Sequence, residues 1–313
     1  MHELFLTFDT EDFISKNSLF SLQRILEILK KHDLTALFFI TGHMGELLCN
    51  SPSIVDMLAE FEIGYHSSSH SVRPLILEYT DVEDYKEAYR VSLERETSHI
   101  NPLTGKIEGK GGIHILRELF PSKRIEAYRA PTNCWSPPHL EALRDLGIKF
   151  DFSASISPVP VHYKGITFYP RQILGDWHGN WSDYQLFFIS IFKNKNTITG
   201  FHPSLFVNKN EWDSIYFKGN PKMLLPPTPR TTKEIEHLLQ AFDLFLARVK
   251  LLQKIGIIEV TSCLKKAEKA LAVDERLVER CYEQSVRSAR KWFNYEPRFI
   301  RSHFYKFFSC NRE

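Results

Sequence analysis

A short apolar run from Leu4 to Phe8, with Thr7 its one polar residue, stops abruptly at an acidic turn, Asp9-Thr10-Glu11-Asp12, and this junction constrains the fold more than any other feature. Such a run reads as a strand buried on both faces, which is the habit of parallel sheets. Carboxylates just past its end sit where α/β folds place their ligands. The rhythm then repeats. Ser18 opens a helix with apolar residues at Leu19, Leu22, Ile25, Leu26 and Leu29, closed by Lys30 and Lys31 at its carboxyl end. Thr35–Thr41 reads as a second buried strand, Pro52–Phe61 as a helix, Glu62–Tyr65 as a short strand, and Val82–Ile100 as a polar helix. Further strands are predicted near Ile125–Tyr128, Ile148–Phe152, Ile166–Tyr169 and Thr197–Phe201. Thr231 and Glu234 form a capping-box pair before a helix carrying Ile235, Leu238, Leu239, Phe242, Leu246 and Val249, and Ile257–Val260 follows as a strand. Strands alternating with helices predict an α/β fold around a parallel sheet.

Composition narrows the function classes. At 313 residues, 43% hydrophobic and 25% charged, the chain is globular rather than disordered. A net charge of +2 is no footprint for nucleic acid. The longest apolar stretch, Gln185–Phe192, is too short to span a bilayer. The five cysteines are scattered without a Cys-x-x-Cys pair, against a disulfide framework or a cysteine zinc knuckle. Met1-His2-Glu3 lacks the basic and apolar regions of a signal peptide, so a cytoplasmic protein is expected. The Pro-rich loops at 158–160 and 226–229 punctuate the chain, and the second is expected to be mobile. Between Arg287 and Arg312 seven basic residues (287, 290, 291, 298, 301, 306 and 312) meet one acid, Glu296, among eight aromatic residues. Such a tail either packs its aromatics on the domain or lies on an anionic membrane surface.

Four segments carry groups capable of chemistry. In His66-Ser67-Ser68-Ser69-His70 the histidines are spaced i, i+4; on a helical turn both would reach one divalent cation, although such pairs also arise by chance. Asp9, Glu11 and Asp12 repel one another unless a cation or proton intervenes, or they form an ordinary solvated loop. Arg129, in Tyr128-Arg129-Ala130-Pro131-Thr132-Asn133-Cys134-Trp135, follows another apolar run and could hold Asp9 ionised, or simply make a surface salt bridge. His202, in Gly200-Phe201-His202-Pro203-Ser204, leaves a predicted strand at the same end and could donate a proton, or be a loop histidine without a role.

Together and in this order, the segments resemble the polysaccharide deacetylases (NodB-homology domain), metal-dependent hydrolases that remove acyl groups from amino sugars. The resemblance runs from Phe5 to about Ser262. It rests on Thr7-Phe8-Asp9-Thr10-Glu11-Asp12, Leu37-Phe38-Phe39-Ile40-Thr41-Gly42, Ile63-Gly64-Tyr65-His66-Ser67-Ser68-Ser69-His70, Arg129-Ala130-Pro131 and His202. It implies a deformed (β/α) barrel over residues 1–264; the basic-aromatic extension over 265–313, which lies outside the resemblance, is expected to be helical and packed on or beside it. It also implies Asp9 as general base, Arg129 as its positioning group and His202 as general acid. His66 and His70 would hold one divalent metal, zinc first, with cobalt, nickel or manganese as alternatives. Thr10 stands where many members carry a second aspartate, so Glu11 or Asp12 must supply the third ligand, with Glu11 favoured. Thr132 replaces a common tyrosine and keeps a backbone N–H for the oxyanion; Trp135 is a candidate substrate contact. Asp176, before Trp177, is a candidate for tuning His202.

With no export signal read, the expected substrate is an intracellular nucleotide- or lipid-linked N-acylated amino sugar, a precursor of a cell-surface polysaccharide. The tail would then touch the inner membrane face. Alternatives are a hydrolase of cyclic amides or ureides on the same fold, a non-catalytic carbohydrate-binding relative, and a non-haem iron oxygenase. The last has no use for Arg129 and His202.

Overall fold

The computed structural model describes residues 1–101, 104–170, 172–194, 196–211 and 227–309. Part of the Pro-rich loop at 226–229, and Arg312 of the basic tail, lie outside the described residues. The strands are β1 (His2–Phe5), β2 (Thr7–Thr10), β3 (Leu37–Ile40), β4 (Glu62–Tyr65), β5 (His99–Ile100), β6 (Ile107–Glu108), β7 (Ala127–Tyr128), β8 (Phe150–Asp151), β9 (Val161–Tyr163), β10 (Ile166–Phe168), β11 (Asn196–Ile198) and β12 (Ile258–Val260). The apolar run Leu4–Phe8 is divided between β1 and β2, which join two sheets. One sheet has the order β2-β3-β4-β7-β8-β10-β9, parallel except for the antiparallel β9 edge. The other is β11-β1-β12, parallel throughout.

The larger sheet curls back on itself. After β10 the chain bridges Leu174 to Thr199, and Phe201 bridges to Phe8 of β2. Two backbone bonds hold that seam, Ile173 N to Ile198 O at 2.9 Å and Gly200 N to Leu174 O at 2.7 Å. The result is an α/β fold with an irregular barrel. Its inward rings include Phe39 and Phe152, and its outer layer rests on stacked Phe8 and Phe38 at 4.8 Å. Helix Lys16–Lys31 buries Leu22, Ile25, Leu26 and Leu29 completely, each worth about 1.5–3 kcal/mol. Helix Thr232–Lys254 opens with the Thr231/Glu234 capping box and buries Leu238, Phe242, Phe245 and Leu246.

The tail is helical, with helices Glu275–Phe293 and Ile300–Ser309. Phe304 meets Trp135 edge-on at 4.8 Å and Phe307 meets Tyr163 at 5.5 Å. Phe293, Phe304, Phe307 and Phe308 are buried in the main core, so these aromatics are not available to a membrane surface. Among the described residues no helix is long and apolar enough to cross a membrane.

Candidate active site

Parallel strands deliver their carboxyl ends to one side, and the candidate residues gather there. Asp9 lies on β2 and Glu11 just beyond it, two positions apart in extended backbone, so both side chains face the same way. His66 follows β4 and Arg129 follows β7; the two strands pair at Tyr65 and Tyr128. Arg129 is almost completely buried. Its guanidinium donates to Asp9 Oδ1 at 2.7 Å, to Thr7 Oγ1 at 2.8 Å and to the Thr199 carbonyl at 3.2 Å. The ring of Phe39 lies 4.4 Å beneath it. A buried carboxylate is thus matched by a buried, permanently charged partner.

Glu11 Oε2 is shared by two imidazoles, 3.1 Å from His66 Nε2 and 2.8 Å from His70 Nε2. Burial pushes the Glu11 carboxyl up, but the charges of His70 and His202 and the hydrogen bonds from His66 and His70 hold it well below the usual carboxylate range. His66 Nδ1 lies 2.7 Å from the Arg129 carbonyl, which can only accept, so that nitrogen carries a proton. A neutral ring then turns the Nε2 lone pair toward a carboxylate oxygen, acceptor against acceptor. A proton or a cation must lie between them. Tetrahedral ligand atoms at about 2.0–2.2 Å from an ion lie about 3.3–3.6 Å apart, a few tenths of an ångström wider than the contacts here, and two imidazoles with one carboxylate are a donor set that fits a divalent cation. The ligand atoms of Glu11, His66 and His70 all fall within 4.8 Å of one another.

The histidines are not brought together by a helical turn, as their spacing suggests. Residues 66–70 form a loop in which Ser67 (φ 65°) and His70 (φ 50°) are left-handed. The loop is fastened from below. Ser67 and Ser68 carbonyls accept from Gly42 N and His43 N at 3.0 and 3.2 Å. Buried Glu96 accepts from Ser68 N at 3.0 Å and holds His139 Nε2 at 2.7 Å. Gly42 is required here: a Cβ would stand 2.6 Å from Gly112 Cα and 2.8 Å from the Ser68 carbonyl oxygen.

His202 Nε2 stands 3.7 Å from Asp9 Oδ2 and 3.9 Å from Glu11 Oε1, and its Nδ1 is 2.6 Å from Asp176 Oδ1. Burial lowers this imidazole, yet Glu11, the bond and charge of Asp176, and Asp9 carry it up to about 10. Two expectations are corrected. Asp12 turns away from the histidines: its carboxylate accepts from Ser15 N at 2.8 Å, Ile14 N at 3.1 Å and Asn208 Nδ2 at 3.1 Å, capping the turn. Burial carries Asp12 up to about 6 against those donors. Trp135 does not line the site; it is fully buried against Phe304 and Phe307 of the tail. Thr132, with φ 52°, does line it.

A cavity of ≈ 580 Å³ opens above these groups, a size suited to a small ligand. Its floor holds Asp9, Glu11, His66, His70, Arg129 and His202. One wall comes from helix Glu275–Phe293, through Arg280, Gln284, Arg287, Ser288, Lys291 and Trp292. Sequence alone does not join this wall to the site, because 287 and 291 read there only as part of a basic tail. The recurrence of 280, 284, 287 and 291 at helical spacing is its one local signal.

The family model described as polysaccharide deacetylase matches residues 2–150. No curated protein matches the chain. Among solved structures, it is similar to a putative polysaccharide deacetylase from Mycobacterium smegmatis, at 14% identity over 85% of this chain and 94% of that one, with a TM-score of 0.49. A putative polysaccharide deacetylase involved in O-antigen biosynthesis from Bordetella bronchiseptica is 18% identical over 78% of this chain and 90% of that one, with a TM-score of 0.42. The chain spans only 61% of the length of a CE4 family pseudoenzyme from Bacillus anthracis, at 15% identity over 79% of this chain and a TM-score of 0.38.

Proposed function

We propose that this chain is a metal-dependent hydrolase removing an N-acyl group, acetyl or formyl, from an amino sugar, a reading supported by the match of residues 2–150 to the polysaccharide deacetylase family model. The observation that carries the reading is the joining of a Glu11-His66-His70 donor set to an Arg129-held Asp9 and a raised His202 in one cavity. A divalent cation held by Glu11, His66 and His70, zinc first, would supply Lewis acidity and acidify water.

The chain's own groups divide the remaining work. Arg129 occupies Asp9 Oδ1 and leaves Oδ2 facing the cavity, where it accepts the proton of the attacking water. The 3.7 Å between Asp9 Oδ2 and His202 Nε2 exceeds a hydrogen bond, so neither group is tied up by the other. The Thr132 N–H donates to the developing oxyanion. His202, protonated at neutral pH and held by Asp176, gives its proton to the departing sugar amine.

Release of acetate or formate from a panel of N-acyl amino sugars tests the reaction. Loss of the Asp9 base costs about 10²–10⁴-fold. Asp9→Asn therefore loses turnover while keeping its metal; near wild-type turnover in that variant would remove Asp9 from the mechanism.

A further inference from the structure

The cationic wall calls for a substrate feature that a neutral amino sugar does not have. Helix Glu275–Phe293 is locked to the loops after β7 and β8. Ser285 Oγ donates to the Trp135 carbonyl at 2.8 Å, Gln284 Nε2 to the Ser153 carbonyl at 3.3 Å and Arg280 to the Ile156 carbonyl at 3.0 Å. These bonds fix which face looks into the cavity. Arg287 and Lys291, one and two turns further on, line it together with Trp292. Arg290, on the same helix but outside the cavity, is neutralised by Glu296. Among the described residues neither Arg287 nor Lys291 has a carboxylate within 4.0 Å. Glu283 is the wall's own acid, and Asp9, Glu11, Asp176 and Glu211 line the rest of the cavity, so the positive charge is local to the wall. Adjacent cations facing a concave space repel one another and focus positive potential where an anion relieves both effects.

We infer that the acyl amino sugar carries a phosphate or diphosphate, bound by Arg287 and Lys291 while its N-acyl group lies over Asp9 and Glu11. This rests on the deacylase reading and narrows its substrate class. A guanidinium fork suits a multiply charged phosphate, and so does the Lys291 ammonium, which rests 4.1 Å from the Trp292 ring centroid and covers one face of that ring.

The test is calorimetric titration of the full, metal-loaded chain with pyrophosphate, uridine diphosphate and geranyl diphosphate. The last two represent a nucleotide and an isoprenoid carrier. Removing one charge-assisted hydrogen bond weakens binding about tenfold. Arg287→Gln/Lys291→Gln, altered at two exposed positions and checked for an unchanged melting profile, therefore binds pyrophosphate about tenfold or more weakly. Arg287→Lys retains most of the affinity. Pyrophosphate still binds His66→Ala/His70→Ala, which separates the wall from any cation below it. Tighter binding of either carrier diphosphate than of pyrophosphate supports the inference and identifies the carrier. Equal affinities in the wild type and the wall variant overturn it. Acyl release from neutral sugars without any diphosphate binding overturns the wall and leaves the deacylase intact. Diphosphate binding without acyl release from any sugar sinks the deacylase reading alone.

Discussion

Arg129→Met removes one partner of a pair that is buried on both sides, with side-chain exposures of 1% for Arg129 and 6% for Asp9. Methionine fills much of the space against Phe39 but leaves the Asp9 carboxylate in low dielectric without its cation, and Thr7 Oγ1 without its guanidinium donor, while the Thr199 carbonyl keeps only the Thr7 hydroxyl. Stranding one member of a buried pair costs about 3–5 kcal/mol. For a chain of this size that lowers the melting temperature by roughly 5–8 °C. Asp9→Asn strands the buried guanidinium in turn, but the amide oxygen still accepts from it, so the cost falls at the lower end of that range, about 3 kcal/mol. In Asp9→Asn/Arg129→Met no unmatched charge remains, so the double variant should lose less than the sum of the singles by at least about 1 kcal/mol. The assay is urea unfolding of the four proteins in chelator, which removes any contribution from bound metal. Effects that add within about 0.5 kcal/mol would refute the buried pair as the organiser of Asp9.

Three further outcomes follow from the geometry. Gly42→Ala drives a methyl into Gly112 and the Ser68 carbonyl, so it should cost about 1–3 kcal/mol and weaken zinc binding by displacing the 66–70 loop; wild-type zinc affinity would contradict that support. His202, raised to about 10, keeps its donor proton at neutral pH and loses it as pH rises through that value; removing an anionic neighbour lowers it. Asp176→Asn should therefore move the alkaline limb of kcat/KM to lower pH, and an unmoved limb would exclude His202 as the acid. Phe304→Ala, at a fully buried position against Trp135, should cost about 3–5 kcal/mol, whereas Phe192→Ala at 81% exposure should stay within about 0.5 kcal/mol. Similar destabilisation at both positions in thermal unfolding would contradict the packed tail.

Features carried by contiguous residues were the legible ones. Leu37-Phe38-Phe39-Ile40 and the Thr231/Glu234 helix announce themselves because burial on both faces and a capping box are local properties. The acidic turn was legible as a site, but choosing between Glu11 and Asp12 depends on alternation at the strand end and on Asn208, nearly two hundred residues away. Left-handed Ser67 and His70 have no glycine to betray them, so a loop resembled a helical turn. Gln185–Phe192, read only as an apolar stretch too short to span a bilayer, lies in helix Trp181–Lys193, with Phe188 and Phe192 exposed. The hairpin of β5 and β6 and the β9 edge are two- or three-residue pairings too short to leave a pattern. The wall of the cavity depends on where a distant helix docks, which periodicity alone does not state.

Metal content tests the central claim most directly. Wild-type protein, equilibrated with zinc and freed of excess, and His66→Ala/His70→Ala treated identically would be assayed by elemental analysis. The account predicts that the variant holds about one ion per chain fewer than the wild type while keeping its fold. Equal metal in both proteins, or none in the wild type after loading with zinc, cobalt, nickel or manganese, would contradict it.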